Sequence, residues 1–98
     1  MTIKNVIELF LNGAESGHTG TKSIPRNLRI VENKLFHYDT VIAERTNEKI
    51  YVNLSRHSIQ TGNVQKQLKE ALIGEKYIAV KKVPRDYKGS LVDYEIKI

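Results

Sequence analysis

Residues 50–72 of the chain, IYVNLSRHSIQTGNVQKQLKEAL, predict a strand, a polar connection and a helix in direct succession. In the first part, Ile50, Val52 and Leu54 alternate with other residues, and this period of two is typical of a half-buried strand. The last part places four apolar residues on one face of a helix: Val64, Leu68, Ala71 and Leu72. Gly74 is expected to end this helix. The stretch therefore predicts a polar segment between two elements that are anchored in the core.

That polar segment, residues 55–63, is called the elbow below and is the best candidate for a functional site. Hydroxyl and amide side chains dominate it: Ser55, Ser58, Gln60, Thr61 and Asn63. No acidic residue occurs between Lys49 and Lys69. Hydroxyls, backbone N–H groups and positive charge can therefore converge at the elbow. The alternative is a purely local role, in which Ser58 or Thr61 caps the second helix.

The chain before the elbow predicts one helix, one loop and a strand-rich region. Four apolar residues form a stripe at helical spacing: Ile3, Val6, Ile7 and Phe10. Thr2 is a suitable N-cap for this helix, and Gly13 suits the position just after its end. Residues 14–26 show no periodicity and predict a mobile loop.

Four short β-rich runs separated by polar turns predict antiparallel strands: 28–31, 35–38, 41–46 and 49–54. After the second helix, residues 75–83 and 91–98 predict a hairpin, and the last strand could form an edge of the sheet. The predicted element order is α-ββββ-α-ββ. We therefore predict a single α+β domain over residues 1–98, with an antiparallel sheet of five to six strands covered on one face by two helices.

Composition favours particular partners and a compartment. The formal charge of +5 and the isoelectric point near 9.5 favour contact with nucleic acid or with an acidic protein surface. The same charge also serves solubility in many small domains. No cysteine is present, which excludes disulfides and thiolate metal sites. Lys4 and Glu8 interrupt the N-terminal apolar run, and no apolar run is long enough to span a membrane, so a cytoplasmic location is expected.

A family resemblance adds a biological context. It is carried by Phe10-Leu-Asn-Gly13, by Asn27-Leu28 with Leu35 and Tyr38, by Thr40-Val-Ile-Ala43 with Arg45, and by Val52-Asn53 with Ser58, Thr61 and Gln65. On these residues the chain resembles a family of short uncharacterised proteins of Gram-positive phages and prophages, from the first helix to Leu72. It departs from the family at His57 and Gly62, where the family tends to have Tyr and a second Thr or Ser. The resemblance implies an accessory protein of a phage or mobile element, a class that often inhibits host machinery, anti-CRISPR proteins included.

Metal binding and catalysis find little support in the sequence. The three histidines, His18, His37 and His57, lack metal-ligand spacing, so neither a metal nor another cofactor is expected. A toxin-type ribonuclease stays open as the enzyme alternative. Its general acid, general base and phosphate-binding cation could come from five side chains: His37, Glu44, Tyr51, Arg56 and His57.

Clusters of basic side chains support the hypothesis that the protein acts by binding. They gather at the end of the loop (Lys22, Arg26, Arg29), around the elbow and in the last hairpin, and Tyr51, Tyr77 and Tyr87 are interleaved with them. Aromatic rings among cations are what single-stranded nucleic acid can stack upon. The predicted binding residues are Arg56, His57, Lys66, Lys69, Lys81, Lys82 and Arg85.

These observations predict a non-enzymatic protein that engages a host protein or nucleoprotein complex. DNA or RNA is a further candidate partner, and no membrane partner is expected. A general single-stranded nucleic-acid-binding protein is the main alternative to the accessory protein, ahead of the ribonuclease.

Overall fold

The computed structural model describes residues 2–20, 27–47, 49–55, 59–84, 87 and 89–94. Six strands form one sheet in the order β1-β2-β3-β4-β5-β6. The elements are α1 (Ile3–Leu11), β1 (Ser16–His18), β2 (Leu28–Val31), β3 (Lys34–His37), β4 (Thr40–Arg45), β5 (Ile50–Asn53), α2 (Ile59–Ala71), β6 (Ile78–Val80) and a 3₁₀ helix (Leu91–Tyr94). The predicted α+β class, with a sheet of about six strands and two helices, is confirmed.

Helix α1 forms as its sequence predicts. The Asn5 backbone N–H donates to the Thr2 hydroxyl at 3.1 Å, so Thr2 is the N-cap. At the other end, Gly13 has a φ of +98°, and the backbone N–H groups of Gly13 and Ala14 donate to earlier carbonyls of the helix. This left-handed ending satisfies carbonyls that would otherwise lack donors. Arg45 reinforces it, since its Nη2 donates to the Ala14 carbonyl at 3.0 Å.

The sheet is antiparallel from β1 to β5 and parallel between β5 and β6. Tight turns join β2 to β3 and β3 to β4, and Glu32 and Tyr38 in these turns have positive φ values of 57° and 55°. Strand β6 lies parallel to β5 because α2 carries the chain back between them. A helical crossover of this kind is what a parallel pair requires.

Apolar residues are buried on two sides of the sheet. One cluster joins the two helices to the sheet: Val6, Ile7, Phe10, Leu28, Ile30, Leu35, Ile42, Ala43, Val52, Val64, Leu68 and Leu72. A second cluster joins strands to the C-terminal segment: Phe36, Val41, Tyr51, Val80, Val83 and Leu91. Glu44 anchors that segment, because its carboxylate accepts from the Ser90 hydroxyl at 2.9 Å and the Leu91 N–H at 2.8 Å. These two bonds fix the start of the 3₁₀ helix.

Several sequence predictions need correction. The predicted loop over 14–26 is wrong over Ser16–His18, which forms strand β1, whose small residues show no hydrophobic pattern. The predicted hairpin of 75–83 with 91–98 is wrong over Leu91–Tyr94, which is helical and held by Glu44 instead of by a partner strand. Ala71 is exposed rather than on the buried face of α2. Residues 21–26 and 95–98, also covered by these predictions, lie outside the described residues.

Two glycines should respond in opposite directions to alanine. We expect Gly13→Ala to lower the free energy of unfolding by about 1–2 kcal/mol, because a Cβ disfavours the left-handed backbone at φ +98°. Gly62→Ala, in helix α2 with no atom within 4 Å of the added Cβ, should raise it by roughly 0.5–1 kcal/mol. Urea denaturation of both variants measures the difference, and equal effects of the two changes would contradict the assignment of Gly13 as a helix-ending residue.

Candidate functional site

The elbow is fixed from inside by Asn53, the last residue of β5. Its side chain is fully buried. The Asn53 Nδ2 donates to the Val41 carbonyl at 2.9 Å, and its Oδ1 accepts from the Ser55 backbone N–H at 2.9 Å. One amide therefore joins β5 to β4 and turns the chain into the elbow. A buried side-chain amide is stable only with such partners.

Gln65 of helix α2 completes this arrangement. Its Nε2 donates to the Asn53 carbonyl at 2.6 Å and to the Ser55 carbonyl at 3.0 Å. The Ser55 hydroxyl in turn accepts from the Val83 N–H at 2.8 Å. We refer to Asn53, Ser55, Gln65 and Val83 as the elbow network. It ties β5, α2 and the segment after β6 to one another.

Thr61 and His37 form a second buried link between the sheet and α2. Thr61 lies inside the first turn of α2, so the prediction that it caps the helix is wrong, and Ser58 lies outside the described residues. The Thr61 hydroxyl shares a hydrogen bond of 2.8 Å with His37 Nδ1. Burial lowers the pKa of His37, because the charged imidazolium loses its hydration. His37 is therefore a structural residue in the neutral form.

The structure places the four described cations of the predicted site around the elbow network. Lys66, Lys69, Lys81 and Lys82 are all exposed. Lys66 follows Gln65 directly, and Lys69 lies one helical turn further along the same surface. Lys81 and Lys82 lie between Val80, whose carbonyl accepts from the Leu54 N–H at 2.8 Å, and the network residue Val83. The remaining predicted site residues, Arg56, His57 and Arg85, lie outside the described residues.

Lys82 has an unusual backbone conformation. Its φ is +61°, in the left-handed region that side chains with a Cβ adopt rarely. The conformation is held in place on its C-terminal side, where Val83 is buried and its N–H is bound by Ser55. The network thus fixes the direction in which this part of the basic surface faces.

The tyrosines do not form the predicted stacking surface. Tyr51 is 3% exposed and packs in the second apolar cluster, and Tyr77 is half-buried against the first. The Tyr87 hydroxyl donates to Asp93 Oδ2 at 2.8 Å, and this bond, with burial and the nearby carboxylate, raises the pKa of Tyr87 to about 12. Tyr38, in the β3–β4 turn, is 48% exposed and was not predicted as a site residue. The sequence predicts it as the last residue of the strand 35–38, whereas β3 ends at His37 and Tyr38 takes a left-handed turn conformation with a φ of 55°.

The side chains that a ribonuclease would need are mostly internal. His37 and Glu44 are each 4% exposed and Tyr51 is 3% exposed. His37 is bound to Thr61, and Glu44 is bound to Ser90 and Leu91. Arg56 and His57, the other two members of that set, lie outside the described residues.

The described part of the chain offers no group of three or more His, Asp or Glu side chains that could hold a metal ion. Within the same residues, no helix is long and apolar enough to cross a membrane.

Comparisons with protein-family models, with curated proteins and with solved structures found no match to this chain.

The elbow network should carry a large share of stability. We expect Asn53→Ala to lower the free energy of unfolding by about 2–4 kcal/mol, because the change leaves a buried carbonyl and a buried N–H without their partners. Asn63→Ala, the same substitution at an exposed position of α2, should change it by less than about 0.5 kcal/mol. Chemical denaturation distinguishes the two, and a decrease of under about 1 kcal/mol in Asn53→Ala, the scale of one ordinary hydrogen bond, would contradict the role of the network.

His37 should make the fold less stable as the pH falls. Because its pKa is lowered in the folded state, the unfolded chain binds the proton first as the pH falls below about 6.5. The stabilisation is complete above pH 6.5 and is lost as the pH falls towards the lowered pKa. We expect His37→Gln to flatten the decline in melting temperature between about pH 7 and 5. Thr61→Val should retain the decline, because it removes the shared hydrogen bond but keeps the imidazole buried, and an unchanged decline in His37→Gln would contradict this cause.

Proposed function

We propose that this protein is a non-enzymatic accessory protein that binds host nucleic-acid machinery in the cytoplasm of a bacterial host. Among the residues that the structure describes, we assign the contact surface to four exposed lysines around the elbow network: Lys66, Lys69, Lys81 and Lys82. The phage or mobile-element context, and the role of an inhibitor of the anti-CRISPR kind, come from the family resemblance of the sequence.

The single observation that carries this proposal is the internal hydrogen bonding of the elbow network. Asn53, Ser55 and Gln65 direct their hydrogen-bonding groups at one another and at nearby backbone. These amides and hydroxyls are therefore committed to holding the fold. The charged groups that remain for a partner are ammonium groups on flexible stems, beside the exposed amides of Gln60 and Asn63. Such groups suit binding better than bond-making chemistry.

The kind of contact follows from the positions of the aromatic rings. Tyr51 is buried, and Tyr77 and Tyr87 are half-buried. Among the described rings Tyr38 is exposed and adjoins the elbow, where its hydroxyl donates to Gln60 Oε1 at 3.3 Å, so base stacking has a single exposed platform there. Lysine ammonium groups bind phosphates as point charges without reading base edges. Contact with the phosphate backbone of a bound nucleic acid, or with carboxylates of its protein, is the mode we propose. A general single-stranded nucleic-acid-binding protein is a weaker alternative, because it needs stacking platforms.

The ribonuclease alternative meets a physical objection at His37, Glu44 and Tyr51. A general acid or base must come within about 3 Å of the proton that it transfers. These three side chains are nearly inaccessible, and the first two already have hydrogen-bond partners. Incubation of the protein with labelled RNA should leave the RNA intact, and cleavage that disappears in His57→Ala would replace this proposal with the enzyme.

The binding surface is tested by fluorescence anisotropy with short single- and double-stranded DNA and RNA across a salt series. We expect salt-dependent binding that weakens in the triple variant Lys66→Gln, Lys69→Gln, Lys81→Gln. The slope of log affinity against log salt should fall by about 0.7–0.9 for each phosphate that the variant no longer neutralises.

A matched control removes the same charge elsewhere: Lys4→Gln, Lys34→Gln, Lys49→Gln. This control should keep most of the wild-type slope, because its three lysines lie on α1, on β3 and before β5. Equal decreases in the two triple variants would show that only net charge matters and would contradict the assigned surface. Absence of binding to every probe at about 50 mM salt, where phosphate contacts are strong, would exclude direct nucleic-acid contact and leave a protein partner.

A further inference from the structure

A groove of about 620 Å³ lies between helices α1 and α2. Its floor is apolar and comes from three elements, with Leu11 of α1, Ile50 of β5 and Ala71 of α2, which are exposed or half-buried. Ile7 and Leu72 lie beneath this floor and are fully buried. The volume falls within the usual range of roughly 300–1,000 Å³ for ligand pockets. This groove is formed at the C-terminal end of α2, whereas the elbow lies at the N-terminal end of that helix. None of Lys66, Lys69 and Lys81 lines the groove, so these lysines and the groove residues can be substituted separately, although Lys69 precedes the lining residue Glu70.

The rim of the groove is acidic on a protein that is basic overall. Glu8, Glu70 and Glu75 line it, against one lysine, Lys4, while the whole chain carries a formal charge of +5. All three carboxylates are exposed, and none forms an ion pair with another residue of the described chain. The rim departs from the charge of the rest of the molecule in the direction that attracts cations and repels phosphate.

Backbone dipoles act in the same direction. Helix α2 ends at Ala71, and the groove is lined from that side by its last turn and the residues that follow. Helix α1 ends at Leu11, which lines the groove together with Asn12. The C-terminal end of a helix carries a partial negative charge that favours a nearby cation. At α1 the last carbonyls already accept from Gly13 and Ala14, and Arg45 binds beside them, so the end of α2 and the three carboxylates supply the negative charge around the groove.

We propose that this groove binds a short cationic segment of a partner protein, in which lysine or arginine side chains flank apolar ones. The apolar side chains would cover Leu11, Ile50 and Ala71, and the cations would reach the carboxylates of Glu8, Glu70 and Glu75. A nucleic acid does not fit this groove, because the acidic rim repels phosphates and the apolar floor offers them no hydrogen-bond donors. A simple amine would satisfy the rim and leave the floor exposed. This binding site differs from the surface in the proposed function in the sign of its charge and in its lining residues. The two surfaces adjoin where Lys69, in the last turn of α2, precedes Glu70.

The test uses the full chain and a fluorescein-labelled amphipathic peptide of leucine and lysine with apolar residues at helical spacing. Anisotropy should show saturable binding that weakens about three- to tenfold in the double variant Glu70→Gln, Glu75→Gln, given the usual strength of exposed charge pairs. The matched control, Glu15→Gln with Glu32→Gln, removes two exposed carboxylates outside the groove and should bind as the wild type does.

A second variant tests the groove itself. Ala71 is exposed and lines the groove, so Ala71→Trp should fill part of it at little cost to folding and should reduce peptide binding. In the wild type, amide NMR signals of Leu11, Ile50 and Ala71 should shift on addition of the peptide. The elbow variant Lys66→Gln, Lys69→Gln, Lys81→Gln should keep peptide binding even where nucleic-acid binding disappears, so failure of one proposal is distinguishable from failure of the other.

Four outcomes would overturn the proposal. The first is equal binding of a peptide with glutamate in place of lysine, and the second is an equal decrease in the Glu15 and Glu32 control. The third is binding of spermidine at the groove signals without binding of the peptide, which would make the occupant a small amine. The fourth is self-association that Ala71→Trp abolishes while the peptide does not bind, which would make the occupant a second copy of this chain.

Discussion

The hydrogen bonds of Gln65 are the constraint on which the arrangement of the chain depends. One side-chain amide donates to the carbonyls of Asn53 and Ser55, at the point where β5 ends and the elbow begins. These bonds require a defined geometry and therefore fix the orientation of α2 relative to the end of β5. The apolar contacts of the surrounding core are non-directional and do not fix that orientation. The bond to Val83 through Ser55 extends the same constraint to the segment after β6.

This constraint explains why the elbow is rich in polar residues without being an obvious reaction centre. A strand that ends in the middle of a sheet and passes into a helix must satisfy its last backbone groups. Asn53, Ser55 and Gln65 do so internally, and their burial leaves the neighbouring lysines, with Gln60 and Asn63, as solvent-facing groups. The positive φ of Lys82 belongs to the same arrangement, because that residue precedes the bound and buried Val83. The fold thus presents lysines along the exposed side of α2 and before Val83, and an acidic-rimmed groove beside the C-terminal end of that helix.

Local signals predict much of this fold. The stripe of α1, its N-cap at Thr2 and its ending at Gly13 are encoded within a dozen residues, and the β2 to β5 meander follows from alternation and turns. These local signals fail where a contact with a residue distant in sequence determines the secondary structure. Leu91–Tyr94 alternates like a strand but is helical, because Glu44 caps it from across the sheet. The sequence predicts strand β6 in a hairpin, although a strand, a helix and a strand in succession are typical of a parallel pair.

The internal role of the elbow can also be predicted in part, since Thr61 and Gln65 fall on the same helical stripe as Val64 and Leu68. Their partners, His37, Asn53 and Ser55, are not readable from sequence, because they depend on how the elements pack.

The most direct measurement of the central claim is amide hydrogen exchange, followed by NMR, at Ser55 and Val83. Both N–H groups donate to side chains of the elbow network, so neither belongs to a regular strand or helix ladder. If the network holds the elbow, both amides should exchange about as slowly as those of the central strands, through global unfolding. Exchange at the rate of exposed loop amides would contradict the role of Gln65 and Asn53, because the polar elbow would then be free to open.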